Sequence, residues 1–380
     1  MKFDTEALFA PLTGIDWSDL DIYIVGGAVR DTLLGQKPKD IDYVIIGSTP
    51  EELISRKFQQ VGQDFPVFLH PKSHVEVALA RTERKTTTGH TGFTVRSDPT
   101  INLSTDLKRR DFSINAMAIS PQGHLIDPYQ GESDIRQRRL RHISDSFVDD
   151  PLRVLRGIRF LAQLGKYRFH IAEETQRLME SMAASLTELS VERIIVELDK
   201  TLGALKPEYG MSELSRLKII QALAPELSIC PPRFKCTAVD CRLAEWICLQ
   251  EPTLECLDSY SKRFKLSSKR YQFLKSIILL RRQKNKNAQE CLEIMARLGW
   301  LRGDAPAPKI DQLLLETDCA GLCAIPIVTW IRWRDLVRGI SAKPFTDTGL
   351  LGKVLGQAIY NARFNVLSTE ISAPGTAPGL

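Results

Sequence analysis

The sequence predicts an α+β protein in two parts, a mixed head followed by an all-helical arm. Two observations carry this. Between residues 21 and 140 short β-like runs alternate with helical ones, and from Pro151 onward strand signals nearly vanish while amphipathic helical patterns recur. A third sets the scale: 380 residues exceed one ordinary core, so a compact head with appended lobes is expected.

In the head, Asp21–Val25, Ile41–Ile46, Pro66–His70, Val75–Ala80 and a segment near Ile114–Ile119 read as strands. Ala28–Leu34 and Glu51–Lys57 read as helices. Thr49, Pro50 and Glu52 form a capping box with proline at the first helical position, so the second of these helices has a definite start. In the arm, helices are predicted at Glu173–Ser185, Val191–Leu202, Glu213–Leu223, Ser267–Leu280 and Val328–Val337. Arg302–Pro308 reads as a linker and Ser372–Leu380 as a disordered tail.

Composition bounds the function classes. With 43% hydrophobic and 26% charged residues and no apolar run near the ~18 residues of a membrane span, a membrane protein is not expected. Asp4 and Glu6 stand where a secretory signal would be basic, which predicts a cytoplasmic location. All eight cysteines lie between Cys230 and Cys323, with no histidine after His170, and read as reduced, buried small hydrophobes. A net charge of +5 is compatible with a polyanionic partner. Basic residues gather at Lys108–Arg110, Arg136–Arg141 and Arg153, Arg156 and Arg159; alone, these could be solvated helix faces.

The strongest local feature is Ile24–Asp31, IVGGAVRD, followed by Asp40-Ile41-Asp42. A strand that ends in two glycines and passes into a helix can bring bare backbone amides against a triphosphate. Asp40 and Asp42, two apart on a predicted strand, would point to one face about 6.6 Å from each other and could hold a pair of cations. Two metals about 4 Å apart serve in-line nucleotidyl transfer. Glu76, alternating with Ala78 and Ala80, is either a third carboxylate or an ordinary solvent-facing glutamate.

Five segments occur in a fixed order: GGAVRDTLLG with DID, DLKRRDFSINAMA (Asp106–Ala118), DDPLRVLRGIRF (Asp149–Phe160) and SVERIIVEL (Ser190–Leu198). In that order they resemble the successive motifs of the bacterial class II tRNA nucleotidyltransferases (CCA-adding enzymes) and bacterial poly(A) polymerases, over about residues 21 to 200. VGQDFPVFLHPKSHVEVALARTERK looks like the CCA-adding branch. The arm beyond residue 205 is similar only in its helical character.

The resemblance implies metal binding, expected to be Mg2+, at Asp40 and Asp42, and nucleotide contacts at Gly27, Arg30, Arg110, Asp150, Arg153, Arg156 and Arg159. It implies a polymerase-β-like nucleotidyltransferase head at 21–140 after an N-terminal extension at 1–20. A neck at 141–205 with the nucleotide-selecting residues, a body at 206–301 and a tail at 302–371, ahead of a disordered 372–380, would follow. The expected substrates are CTP, ATP and the 3′ end and acceptor stem of tRNA, with no membrane and no obligate protein partner. The histidine-marked phosphohydrolase domain of some relatives is expected to be absent. CC-adding, A-adding or poly(A)-polymerizing activity is the alternative.

Donor–acceptor chemistry says how side chains could act as a template. Cytosine and adenine each present an amino donor beside a ring-nitrogen acceptor, whereas uracil and guanine present a carbonyl beside a ring N–H. One Asp acceptor beside one Arg donor fits the first pair, and a wrong base would leave groups unpaired at roughly 1–3 kcal/mol each. Asp150 and Arg153 can present that edge, although Asp150 before Pro151 is also a good helix cap. Arg153, Arg156 and Arg159 sweep about 120° of one helix side and should face a ligand or water, with Leu155, Ile158, Leu161 and Ala162 opposite. The resemblance further implies that the polar stretch Arg81–Asp98, with Gly89 and Gly92 as candidate hinges, helps switch specificity from C to A.

Overall fold

The computed structural model describes residues 3–14, 17, 19–62, 67–85, 93–227, 229–231, 233–284, 287–301 and 308–373 of the chain. They form two compact units, Met1–Leu223 and Ala224–Leu380. Among the described residues no helix is long and apolar enough to cross a membrane.

The first unit is built on a seven-stranded sheet in the order β3-β4-β5-β2-β1-β8-β9. Its strands are β1 (Asp21–Val25), β2 (Asp42–Ile46), β3 (Gln59–Val61), β4 (Val67–Leu69), β5 (Glu76–Leu79), β8 (Ala118–Ile119) and β9 (Leu125–Ile126). β1 lies antiparallel to β2, with Val25 opposite Asp42, and β2 runs parallel to β5. In β2 the successive residues Tyr43, Val44 and Ile45 are all at most 1% exposed, so both faces of this central strand are covered. Val25, Val44, Ala80, Ile101, Leu107, Ala116 and Ala118 form one apolar cluster of the core. α1 (Glu6–Phe9) is tied to the sheet where the Tyr43 hydroxyl donates to Leu8 O at 2.6 Å.

α2 (Gly27–Leu33) follows β1, and α3 (Pro50–Ser55) starts where the cap predicts: Thr49 Oγ1 accepts from Glu52 N at 3.2 Å, with Pro50 at the first helical position. The Glu52 carboxylate, however, accepts from Ser48 Oγ at 2.7 Å. α4 (Leu103–Lys108) and α5 (Gly131–Arg136) complete the head helices. The segment expected as a strand near Ile114–Ile119 divides. Ser113–Asn115 is a 3-10 turn and only Ala118–Ile119 is strand, because Phe112 O and Ser113 O accept from Asn115 N and Ala116 N. Within Arg81–Asp98, β6 (Arg81–Lys85) pairs antiparallel with β7 (Phe93–Ser97); the connecting residues, Gly89 and Gly92 included, lie outside the described residues.

β10 (Arg139–Leu140) pairs in parallel with β11 (His170–Ile171), a short strand in a region expected to be wholly helical. The same unit holds α6 (Leu152–Gln163), α7 (Glu173–Ser181), α8 (Val191–Leu202), α9 (Pro207–Arg216) and α10 (Ile219–Leu223). The helix predicted to reach Ser185 gives way to a 3-10 turn at Ala184–Glu188, and the one predicted at Glu213–Leu223 is broken at Lys218, whose φ is 54°. The first body helix, expected to begin a separate lobe at 206, packs instead on α6. Gly210 allows the approach: a Cβ there would stand 2.5 Å from Ile158 O.

The second unit is helical: α11 (Val239–Leu249), α12 (Leu254–Phe264), α13 (Ser268–Arg282), α14 (Ala288–Arg297), α15 (Pro308–Glu316), α16 (Ile327–Arg338), α17 (Lys343–Asp347) and α18 (Gly352–Ser372). Side-chain caps start α12, α13 and α14, from Thr253, Ser267 and Asn287. Trp246, Trp330 and Trp333 are fully buried in it. α18 extends through Ser372, where a tail was expected to begin; residues 302–307, expected as a linker, and those after 373 lie outside the described ones. Cys236, Cys241, Cys248 and Cys291 are buried as expected, whereas Cys256 is exposed in the first turn of α12.

Candidate active site

At the end of β1 the chain turns on Gly26, which has φ 75° and ψ −129° and precedes the first residue of α2. A side chain is disfavoured there twice. That backbone suits glycine, and a Cβ would stand 2.8 Å from Arg110 Nη1 and 3.9 Å from Asp42 Oδ2. The missing side chain thus lets the turn close onto a cation and a carboxylate.

A cavity of about 1180 Å3 opens at this turn. Gly27, Arg30, Asp40, Asp42, Glu76, Arg110, Asp150, Arg153, Arg156 and Arg159 all line it, so every site residue expected from sequence meets in one place. Asp42 is the first residue of β2, but Asp40 lies in the bend before the strand. Strand alternation therefore does not orient this pair. Burial pushes the Asp42 carboxyl above the usual range; Arg110 opposes that and Asp40 adds to it. Glu76 is exposed at the start of β5, and among the described residues no three His, Cys, Asp or Glu side chains converge closely enough to hold one ion.

Arg110 is the cation facing Asp42. Its Nη2 lies 3.4 Å from Asp106 Oδ2, while its Nε is buried without a hydrogen-bond partner among the described residues. Asp106 is fully buried and also accepts from Arg109 Nε at 3.0 Å and Arg81 N at 3.3 Å. Burial alone would raise its pKa, but Arg109 and Arg110 outweigh that and hold it below the usual carboxylate range.

Across the cavity, α6 supplies a ladder of arginines. Arg153 donates to Ser146 O at 2.9 Å and to Arg109 O at 2.8 Å. Asp150 accepts from Leu152 N at 3.1 Å, as a cap does, and from Arg193 Nη2 at 2.8 Å. Arg156 Nε bonds Asp111 Oδ2 at 2.6 Å. Arg159 departs from expectation: it is 9% exposed, with Nε 2.6 Å from Glu197 Oε2 and Nη1 3.1 Å from Gln163 Oε1, so it is an internal ion pair at the cavity wall and not a solvent-facing cation. Its partner comes from α8, which α6 periodicity could not reveal.

Phe160 joins these groups. The Cζ atoms of Arg30, Arg156 and Arg159 lie 5.5, 5.6 and 4.4 Å from its ring centroid. Arg30 is further fixed by Asp31 and by Asn115 Oδ1 at 2.8 Å. Sequence reasoning missed Phe160, Asn115, Asp111, Arg193 and Glu197. For the last two a signal was present, since opposite charges four residues apart interrupt the apolar spacing of SVERIIVEL.

A glycine turn, a carboxylate pair at the start of β2 in a mixed sheet and an arginine-bearing helix opposite make a site suited to nucleotidyl transfer. Residues 22–141 match the family described as poly A polymerase head domain, and residues 168–230 the one described as probable RNA and SrmB-binding site of polymerase A. By these matches the head is similar to that of poly A polymerases, and the segment after it to their RNA-binding region.

Among solved structures, the fold is similar to that of the Bacillus stearothermophilus CCA-adding enzyme in complex with CTP, with a TM-score of 0.70 and 23% identity over 97% of this chain and 94% of that one. It is also similar to the Thermotoga maritima CCA-adding enzyme complexed with tRNA, with a TM-score of 0.61 and 22% identity over 99% and 94%.

Proposed function

We propose that this protein builds and repairs the 3′-terminal CCA of tRNA from CTP and ATP, releasing pyrophosphate. One observation carries the reading: a single cavity is lined both by the Gly27, Arg30, Asp40 and Asp42 set and by Asp150 and Arg153, more than a hundred residues later.

The donor set fits a hard divalent cation such as Mg2+. Asp40 and Asp42 offer oxygen ligands, and the mutual repulsion that helps raise the Asp42 pKa would be relieved by a positive ion. Bound at these residues, metal supplies activation of the 3′-hydroxyl and neutralisation of triphosphate charge. Glu76, on the same cavity, is the candidate third carboxylate. Arg30 and Arg110 are suited to the triphosphate, Arg110 with an unused buried Nε donor. Arg156 and Arg159, anchored by carboxylates, would border the nucleotide.

Asp150 and Arg153 would read the base edge. Arg153 uses two of its five N–H donors on backbone carbonyls, which fixes its plane and leaves donors for a ring nitrogen. Asp150 uses one acceptor site on each oxygen and retains others for the amino group shared by C and A. The 3′-hydroxyl oxygen would then attack the α-phosphorus, giving its proton to water, while the bond to the departing pyrophosphate breaks.

The test is incubation of a tRNA lacking CCA with Mg2+ and CTP, ATP or both. Extension by two residues with CTP and three with both supports the reading. CC-only, A-only or long A-tail products would assign the alternative activities of the family. An Asp40→Ala variant that still extends the tRNA would overturn the mechanism.

A further inference from the structure

Outside the cavity, the basic cluster around Arg136–Arg141 has no part in the mechanism above. Two of its neighbours have an unusual backbone: Arg138 and Arg168 have φ of 56° and 58°, in the left-handed region that residues with a Cβ rarely adopt. They are adjacent, because β10 and β11 pair through Arg139 and His170 and His170 N donates to Arg138 O at 2.9 Å. Both are exposed.

This pair is continuous with the cavity mouth. Arg138 Nη1 donates to Tyr167 O at 2.8 Å, and Lys166 Nζ lies 4.7 Å from the Tyr167 ring centroid. The Tyr167 hydroxyl accepts from Gln36 Nε2 at 2.6 Å and donates to Leu34 O at 3.3 Å. Lys166 lines the cavity, as does Lys37, the residue after Gln36. Among the described residues, Lys37, Lys166, Arg138 and Arg168 have no carboxylate within ion-pair distance, unlike Arg156 and Arg159 inside the cavity. Unpaired cations therefore lead from the mouth outward over Tyr167, with the side chains of two of them presented from a costly backbone.

We propose that Lys166, Arg138 and Arg168 form a track for the RNA backbone. It carries the phosphates of the strand whose 3′ end lies in the cavity, and it rests on the function proposed above. A polyanion held this way releases counterions, so the track should supply part of the salt dependence of RNA affinity and none of the nucleotide affinity.

The experiment compares wild type with a double variant, Arg138→Gly and Arg168→Gly. Glycine accepts the left-handed backbone, so loss of charge is separated from loss of fold. Binding of tRNA lacking CCA is measured across a salt series, together with the KM for CTP at saturating RNA. Expected are affinity weaker by about 10-fold near 0.1 M salt, a salt slope shallower by about 1.5 and an unchanged KM for CTP. Arg138→Lys with Arg168→Lys should retain the wild-type slope. Glycine variants with unchanged affinity and slope, or with a matching rise in KM for CTP, overturn the proposal. Wild type that neither binds nor extends RNA sinks the parent function as well, a result distinct from variants that match an RNA-binding wild type.

Discussion

Arg193 Nη2 donates to Asp150 Oδ2 at 2.8 Å, so the first turn of α8 holds the residue that caps the start of α6. The pair is partly exposed, 28% and 20%, and its worth lies in orientation more than in stability. If Asp150 reads the base edge, Arg193 sets the direction of its carboxylate. Arg193→Gln should lower kcat/KM for CTP and ATP by about 10-fold, the cost of a charge-assisted bond, and narrow their advantage over UTP and GTP. Kinetics with all four nucleotides checks this. Unchanged discrimination would leave the pair a fastening between helices only.

Gly26 gives a stability test at the other side of the cavity. Its φ of 75° and ψ of −129° make Gly26→Ala strained, and the new Cβ would press on Arg110 Nη1 at 2.8 Å. A loss of about 1–3 kcal/mol in denaturant unfolding is expected, with most of the activity. Adding Arg110→Ala should recover only the steric part. Full recovery would mean that the backbone there tolerates a side chain.

Local signals were enough for part of this architecture. The strand Asp21–Val25 and the helix Val191–Leu202 have their predicted bounds, because each has a strong period and definite ends. The cap at Thr49 was equally legible, though Glu52 turns to Ser48. Tertiary choices were not. Arg159 looks solvent-facing on its own helix, and only Glu197, 38 positions on, makes its burial affordable. Asp40 and Asp42 meet at the cavity through the bend before β2 and not through strand alternation, and the turn at Ser113–Asn115 depends on where β8 must start.

Phe160 is the shared neighbour of three guanidinium groups, two on its own helix and one, Arg30, on α2. Each contact is worth about 0.5–2 kcal/mol depending on desolvation. Phe160→Leu keeps an apolar side chain but removes the π face. KM for both nucleotides should rise about 5-fold, with kcat within 2-fold of wild type, and Phe160→Tyr should restore KM. A leucine variant with lowered kcat and unaltered KM would show that the ring supports the fold near the reacting atoms and does not position the arginines.

Asp111 sets an acid limit on stability. Burial raises its carboxyl, but the Arg156 guanidinium at 2.6 Å and bonds from Asn115 and Phe112 N outweigh that, so its pKa lies below the usual carboxylate range. A carboxyl depressed in the folded state stabilises the fold above its unfolded pKa, and the contribution is lost as pH falls through the folded one. Asp111→Asn should therefore be less stable than wild type at pH 7 by about 1–2 kcal/mol, a modest figure because Arg156 is 37% exposed. The difference should shrink steadily below pH 4, as wild type loses what the variant never had. Urea unfolding from pH 7 to pH 2.5 measures it, and a gap that stays constant across that range would show that Asp111 acts through hydrogen-bond geometry and not through its charge.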